Sequence, residues 1–147
     1  MRKVTLMVAA LVATIFSVSA DDRHINADQI PDAAKMFIAK YFGSQRITYA
    51  TVDRGLLDNE YNVRLEDGTK IEFDDNGRWV EIDRKSAAVP MPIIPVALAA
   101  YVQQSYPDAK ILKIERDRNT TELTLQTPSH RVELKFDSQN RLIDIDD

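Results

Sequence analysis

Beyond residue 29 the apolar positions follow two rhythms, and the chain passes through both of them twice. Ala33, Ala34, Phe37, Ile38 and Tyr41 recur at helical spacing, and so do Ala97, Leu98, Tyr101 and Val102. Pro31 and Pro95 suit first helical turns, while Gly43 and Pro107 suit the ends. After each helix the period falls to two. The alternation predicts strands over about residues 46–53, 60–66, 69–74 and 78–83, then over about 110–117, 122–127, 131–137 and 141–145. Asp67-Gly68 and Asn76-Gly77 tolerate the positive φ of tight turns, so consecutive strands run antiparallel.

The two halves also match residue by residue. Ile30-Pro31-Asp32-Ala33 returns as Ile94-Pro95-Val96-Ala97, Asp53 as Asp117, the run Phe73 to Arg78 as Phe136 to Arg141, and Ile82-Asp83 as Ile145-Asp146. The order of matches never changes, which is the signature of an internal repeat. The chain thus divides into an extension at 21–29, a first repeat at 30–83, a linker at 84–93 and a second repeat at 94–147. Pro90 and Pro92 stiffen that linker, and a half of roughly 60 residues has only a marginal core alone. The expected fold is α+β: a tandem repeat of a helix plus a four-stranded antiparallel meander, merged into one eight-stranded antiparallel sheet with both helices on one face.

Alternation also sorts the two faces. Tyr61, Val63, Leu65, Ile71, Phe73, Val80 and Ile82, with Leu123, Leu125, Val132, Leu134, Phe136, Ile143 and Ile145, should meet the helices. Asn62, Arg64, Lys70, Glu72, Trp79 and Glu81, with Thr124, Gln126, Glu133, Lys135 and Asp144, should face water.

The first twenty residues stand apart from this pattern. Arg2 and Lys3 precede an apolar run from Val4 to Phe16, and Val18-Ser19-Ala20 places small residues before Asp21, as in a cleavable secretory signal. The run is too short for a stable membrane anchor, and no cysteine follows it to be acylated. The expected location is therefore the periplasm, free of membrane insertion and not as a lipoprotein. Removing the signal takes the formal charge from -4 to -6, which disfavours nucleic acid. With no cysteine, disulfides are excluded, and with only His24 and His130 as imidazoles the common zinc sites are disfavoured. His24 falls in a region expected to be poorly ordered.

Tyr106-Pro107-Asp108-Ala109-Lys110, Glu60-Tyr61-Asn62-Val63 and the run Phe73 to Trp79 resemble the PepSY-like family with its β-lactamase-inhibitor-like fold, known from the envelope of Bacteroidetes-type bacteria. The resemblance covers nearly all of residues 21–147. It implies a tandem helix-plus-four-strand fold with a concave sheet. Relatives by fold inhibit enzymes through the sheet face and hairpin tips, and related PepSY modules have been proposed to restrain peptidases. No motif here carries β-lactamase inhibition across.

Three candidates for chemistry remain. Tyr49 and Trp79 beside Arg64 and Lys70 suit a binding surface on the open face, unless the linker or a sheet edge covers them. Leu56 and Leu57, in a loop two residues longer than its counterpart, either enter a partner's cleft or fold back onto the core. Asp74-Asp75-Asn76-Gly77 resembles a calcium loop but is short of ligands and is read as a turn, as is the sequon Asn119-Thr120-Thr121. Ser129 and His130, adjacent in sequence, should point apart and make no dyad. No catalytic site, metal site or cofactor is expected. An exported non-catalytic binding or inhibitor-like module is the leading expectation, with an envelope protein or peptidase as partner. The alternative is a sensor of a small ligand or cation.

Overall fold

The computed structural model describes residues 22–147, so the expected signal segment lies outside the described residues. Strand β1 (Asp22–His24) precedes helix α1 (Asp32–Phe42), followed by β2 (Ile47–Arg54), β3 (Asn59–Leu65), β4 (Lys70–Phe73) and β5 (Trp79–Asp83). Helix α2 (Val96–Ser105) then leads into β6 (Lys110–Arg116), β7 (Thr120–Gln126), β8 (Arg131–Asp137) and β9 (Leu142–Asp146). All pairings are antiparallel, and the order in the sheet is the order in the chain.

The sheet has nine strands among the described residues, not the eight expected. The ninth is β1, which lays Asp22, Arg23 and His24 against Asp53, Val52 and Thr51. Three polar residues show no alternation, so nothing in the sequence announces this strand. His24 is accordingly held in an edge strand, contrary to the poor order expected of it, with its ring edge-on to Tyr49 at 4.8 Å.

Each helix presents one stripe to the sheet. Ala34, Ile38 and Phe42 of α1 and Leu98 and Val102 of α2 join a single core with Val63, Leu65, Ile71, Phe73, Ile82, Ile114, Leu123, Leu125, Val132, Leu134 and Phe136. The halves use the same contact at its centre. Phe37 meets Phe73 edge-on at 5.8 Å, and Tyr101 meets Phe136 edge-on at 5.6 Å. At the seam between β5 and β6, fully buried Ile82 lies opposite fully buried Ile114 and continues that core from one half into the other.

Four bulges modify the alternation, at matching places in the two halves. Register slips between Ile47 and Tyr49 on β2 and between Ile111 and Lys113 on β6. It slips again where Phe73 pairs with Trp79, and where Phe136 pairs with Leu142. An extra residue on one strand flips the side chains on one side of it to the other face. Trp79 therefore joins Phe73 in the core instead of lying on the open face, and Arg116 stacks over its ring at 3.9 Å. Val80 and Ile143, expected in the core, are the extra residues; Val80 is half-buried and Ile143 exposed. Ile145 does pair with Leu134, but on the edge strand it also remains exposed.

Candidate functional site

The turns fix which side chains share the face opposite the helices. Thr69 N–H donates to Asp67 Oδ1 at 2.9 Å and Gly68 N–H to the Leu65 carbonyl at 3.0 Å, which sets β3 against β4. Across that register Tyr49 lies opposite Arg64, Arg64 opposite Lys70, Lys70 opposite Asp83, and Asp83 opposite Lys113. Three of the expected binding residues, Tyr49, Arg64 and Lys70, thus form one cross-strand row. Burial, then the nearby charges of Lys85 and Arg64, lowers the Lys70 pKa.

The other three expected residues lie elsewhere. Trp79 is in the core. Leu56 and Leu57 stand fully exposed at the tip of the β2–β3 hairpin, so they do not fold back.

A second row runs beside the first, and sequence reasoning missed it as a unit. Thr51 lies opposite Asn62, Asn62 opposite Glu72, Glu72 opposite Glu81, Glu81 opposite Glu115, and Glu115 opposite Glu122. Asn62, Glu72 and Glu81 were expected to be wet, yet the row is partly buried: Thr51 is 2%, Asn62 5% and Glu81 8% exposed. Lys113 reaches Glu81 at 3.2 Å and Glu115 at 3.6 Å, and Lys135 reaches Glu122 at 3.1 Å. Burial, together with the hydrogen bond and charge of Glu60 and then those of Glu81, pushes the Glu72 carboxyl up to about 10, so it is protonated at neutral pH. Burial, then Glu81, raises Glu115 as well. Part of the signal was present in the sequence: alternation put Asn62, Glu72 and Glu81 on one face and the Asp67-Gly68 turn aligns Asn62 with Glu72, whereas the pairing of Glu72 with Glu81 sits beside the bulge at Val80.

Two motifs resolve into turns. Asp74 Oδ1 accepts from the Asn76 and Arg78 amides at 2.9 and 3.0 Å, and Asp137 Oδ1 accepts from the Gln139 and Arg141 amides, both at 2.9 Å. Each carboxylate is thus committed to its own backbone. Ser129 and His130 do not point apart as expected. Ser129 Oγ and His130 Nδ1 are 2.8 Å apart, in an exposed turn where Thr127 Oγ1 also approaches the ring at 3.3 Å. Among the described residues, no three His, Cys, Asp or Glu side chains are grouped so as to hold a metal ion.

The family profile described as "Putative beta-lactamase-inhibitor-like, PepSY-like" matches residues 59–144. The chain belongs to the PepSY-like family. No curated protein matches it. Three solved structures of similar fold come from Bacteroides species. A DUF2874-family periplasmic protein from Bacteroides vulgatus is 40% identical, with TM-score 0.82 over 88% of this chain and 99% of its own. A Bacteroides thetaiotaomicron protein, described as a "putative calcium-regulated periplasmic protein", is 44% identical, with TM-score 0.80 over 86% of this chain and 98% of its own. A second Bacteroides vulgatus periplasmic protein, of unknown function, is 34% identical, with TM-score 0.79 over 86% of this chain and 99% of its own. Among the described residues of this PepSY-like chain, no helix is long and apolar enough to cross a membrane.

Proposed function

We propose that this chain is an exported, non-catalytic binding module that engages an envelope protein through the sheet face opposite its helices and the leucine tip of the β2–β3 hairpin. The observation that carries the reading is the cross-strand row of Tyr49, Arg64 and Lys70. An aromatic ring beside two cations, on rigid paired strands, is the composition of an interface anchor. The wholly exposed Leu56 and Leu57 add apolar surface that no described residue covers. Export to the periplasm is supported by the signal-like first twenty residues and by relatives described as periplasmic. The two helix-plus-four-strand units are read as an ancestral duplication, supported by the matching bulges. The tyrosine-basic row and the leucine tip belong to the first unit.

Cross-linking in the envelope, followed by reconstitution of the captured pair from purified components, tests this reading. Arg64→Glu and the double change Leu56→Ser with Leu57→Ser should each weaken the reconstituted pair at least tenfold while leaving the melting temperature within a few degrees. A pair indifferent to both variants rejects it. The second reading, a cation sensor, draws on the relative described as calcium-regulated and on the carboxylate row. A rise in melting temperature with millimolar calcium would favour it; unchanged melts would reject it.

A further inference from the structure

The carboxylate row is short of hydrogen-bond donors along its length. Glu72, Glu81, Glu115 and Glu122 face one another across four adjacent strands, about 5 Å apart by strand spacing, with Glu60 diagonal to Glu72. Lys113 is shared between two of these groups and Lys135 serves a third. At the other end of the row Asn62 and Thr51 are more than nine-tenths buried, yet Asn62 Oδ1 and Thr51 Oγ1 have no hydrogen-bond partner among the described residues. An amide oxygen can only accept, so what Asn62 Oδ1 lacks is a donor.

A line of acceptors selects a different cation from a cage. Oxygens that converge on a point suit a metal ion, and no such group exists among the described residues. Oxygens strung along a row suit planar, multi-donor groups that bridge neighbours, and guanidinium with its five N–H bonds is the side chain built that way. We propose that the row from Asn62 through Glu72 to Glu122 seats arginine side chains of an extended segment of the protein partner. This rests on the binding-module reading and names the chemistry of what is bound.

Proton linkage gives the inference a distinctive readout. Around Glu72 stand Glu60 and Arg64 on β3, Glu81 and Asp83 on β5, Lys70 on its own strand and Asp74 just beyond that strand's end. A guanidinium arriving beside Glu72 favours its ionised form, so seating an arginine expels the proton that the acidic neighbours hold there. A neighbouring guanidinium brings such a carboxyl from about 10 down to roughly 7–9, so affinity should rise with pH between about 7 and 10, by up to about tenfold per unit.

The test is calorimetric titration of the purified protein with a blocked heptapeptide alternating arginine and serine, in buffers of different ionisation enthalpy. The expected result at about pH 9 is binding with release of up to about one proton, at least tenfold weaker in Glu72→Gln and without proton release there. Glu72→Gln replaces a carboxyl that is already neutral by its near-isostere, so it should fold. Exposed Glu122→Gln, expected to weaken binding severalfold, serves as a variant whose folding is not at stake. Absence of binding, equal binding of the glutamate-serine peptide, or displacement of the peptide by equimolar calcium overturns the inference. In the envelope assay, loss of capture with Arg64→Glu but not with Glu72→Gln overturns it while leaving the binding module intact. Capture retained in both variants overturns the inference, and if the leucine double change leaves capture intact as well, the binding module falls with it.

Discussion

The indole of Trp79 lies in the core beside Phe73, with the Arg116 guanidinium over its outer face and Arg116 Nε donating to the Trp79 carbonyl at 2.7 Å. Truncating it should therefore be a stability event: Trp79→Ala is expected to cost about 3–5 kcal/mol, read as a lower denaturant midpoint. A variant that keeps wild-type stability would contradict its burial. Two carboxylates give opposite pH signs. Burial opposes ionisation of Asp67, but hydrogen bonds from Thr69, Arg84 and Gln45 outweigh it and hold the group down to about 2. Its contribution is present above the ordinary value of 3.8 and is lost as pH falls through 2. Glu72 keeps its proton in the folded chain up to about 10 but loses it near 4.5 when unfolded, so the folded state holds the extra proton between those limits. Its contribution is complete below 4.5 and is lost as pH rises toward 10. Glu72→Gln removes that slope. Thermal melts should show it more stable than wild type at pH 8 by roughly 1 kcal/mol or more, with the gap closing toward pH 5.

At the scale of elements, much of the fold could be read from periodicity. Eight of the nine strands and both helices were expected within a residue or two of their observed ends, because hairpin turns and two apolar rhythms specify them locally. The bulges were not legible. An extra residue such as Val80 is defined by the partner strand, and a strict period of two carried Trp79 to the wrong face. For the candidate site, the alignment of Tyr49, Arg64 and Lys70 follows from alternation plus turn register, whereas burial of the row through Asn62 and Glu81 depends on crowding by neighbouring strands. The turns before β5 and β9 offer a matched comparison. Gly77 has φ +73° and Asn140 has φ +60° at the corresponding place. A Cβ on Gly77 would come within 2.8 Å of Ala34 N and 2.9 Å of Ala33 Cβ, at the start of α1. Gly77→Ala should thus lose more stability than Asn140→Ala, by about 1 kcal/mol or more in urea unfolding, since strain and collision act together only at Gly77. Equal losses would show that the turn stands off from the helix.

On the scale of the whole molecule, the Ile82–Ile114 seam joins the cores of the two halves, so they are expected to unfold as one. The single tryptophan, Trp79, lies in the first half, and so reports on it alone. Leu125→Ala, in the core of the second half, is expected to cost about 2–5 kcal/mol. Its tryptophan-fluorescence and circular-dichroism midpoints should fall together. A fluorescence midpoint left at the wild-type value would show that the halves unfold separately.

Because strand order in space repeats strand order in the chain, no strand has to wait for a distant partner. Six of the eight pairings close through short turns, and the other two close around α1 and α2. The entropy of ring closure is therefore spent in small steps, and folding should be fast for a β-rich chain of this length, with the helix-bearing crossings into β2 and β6 setting its pace.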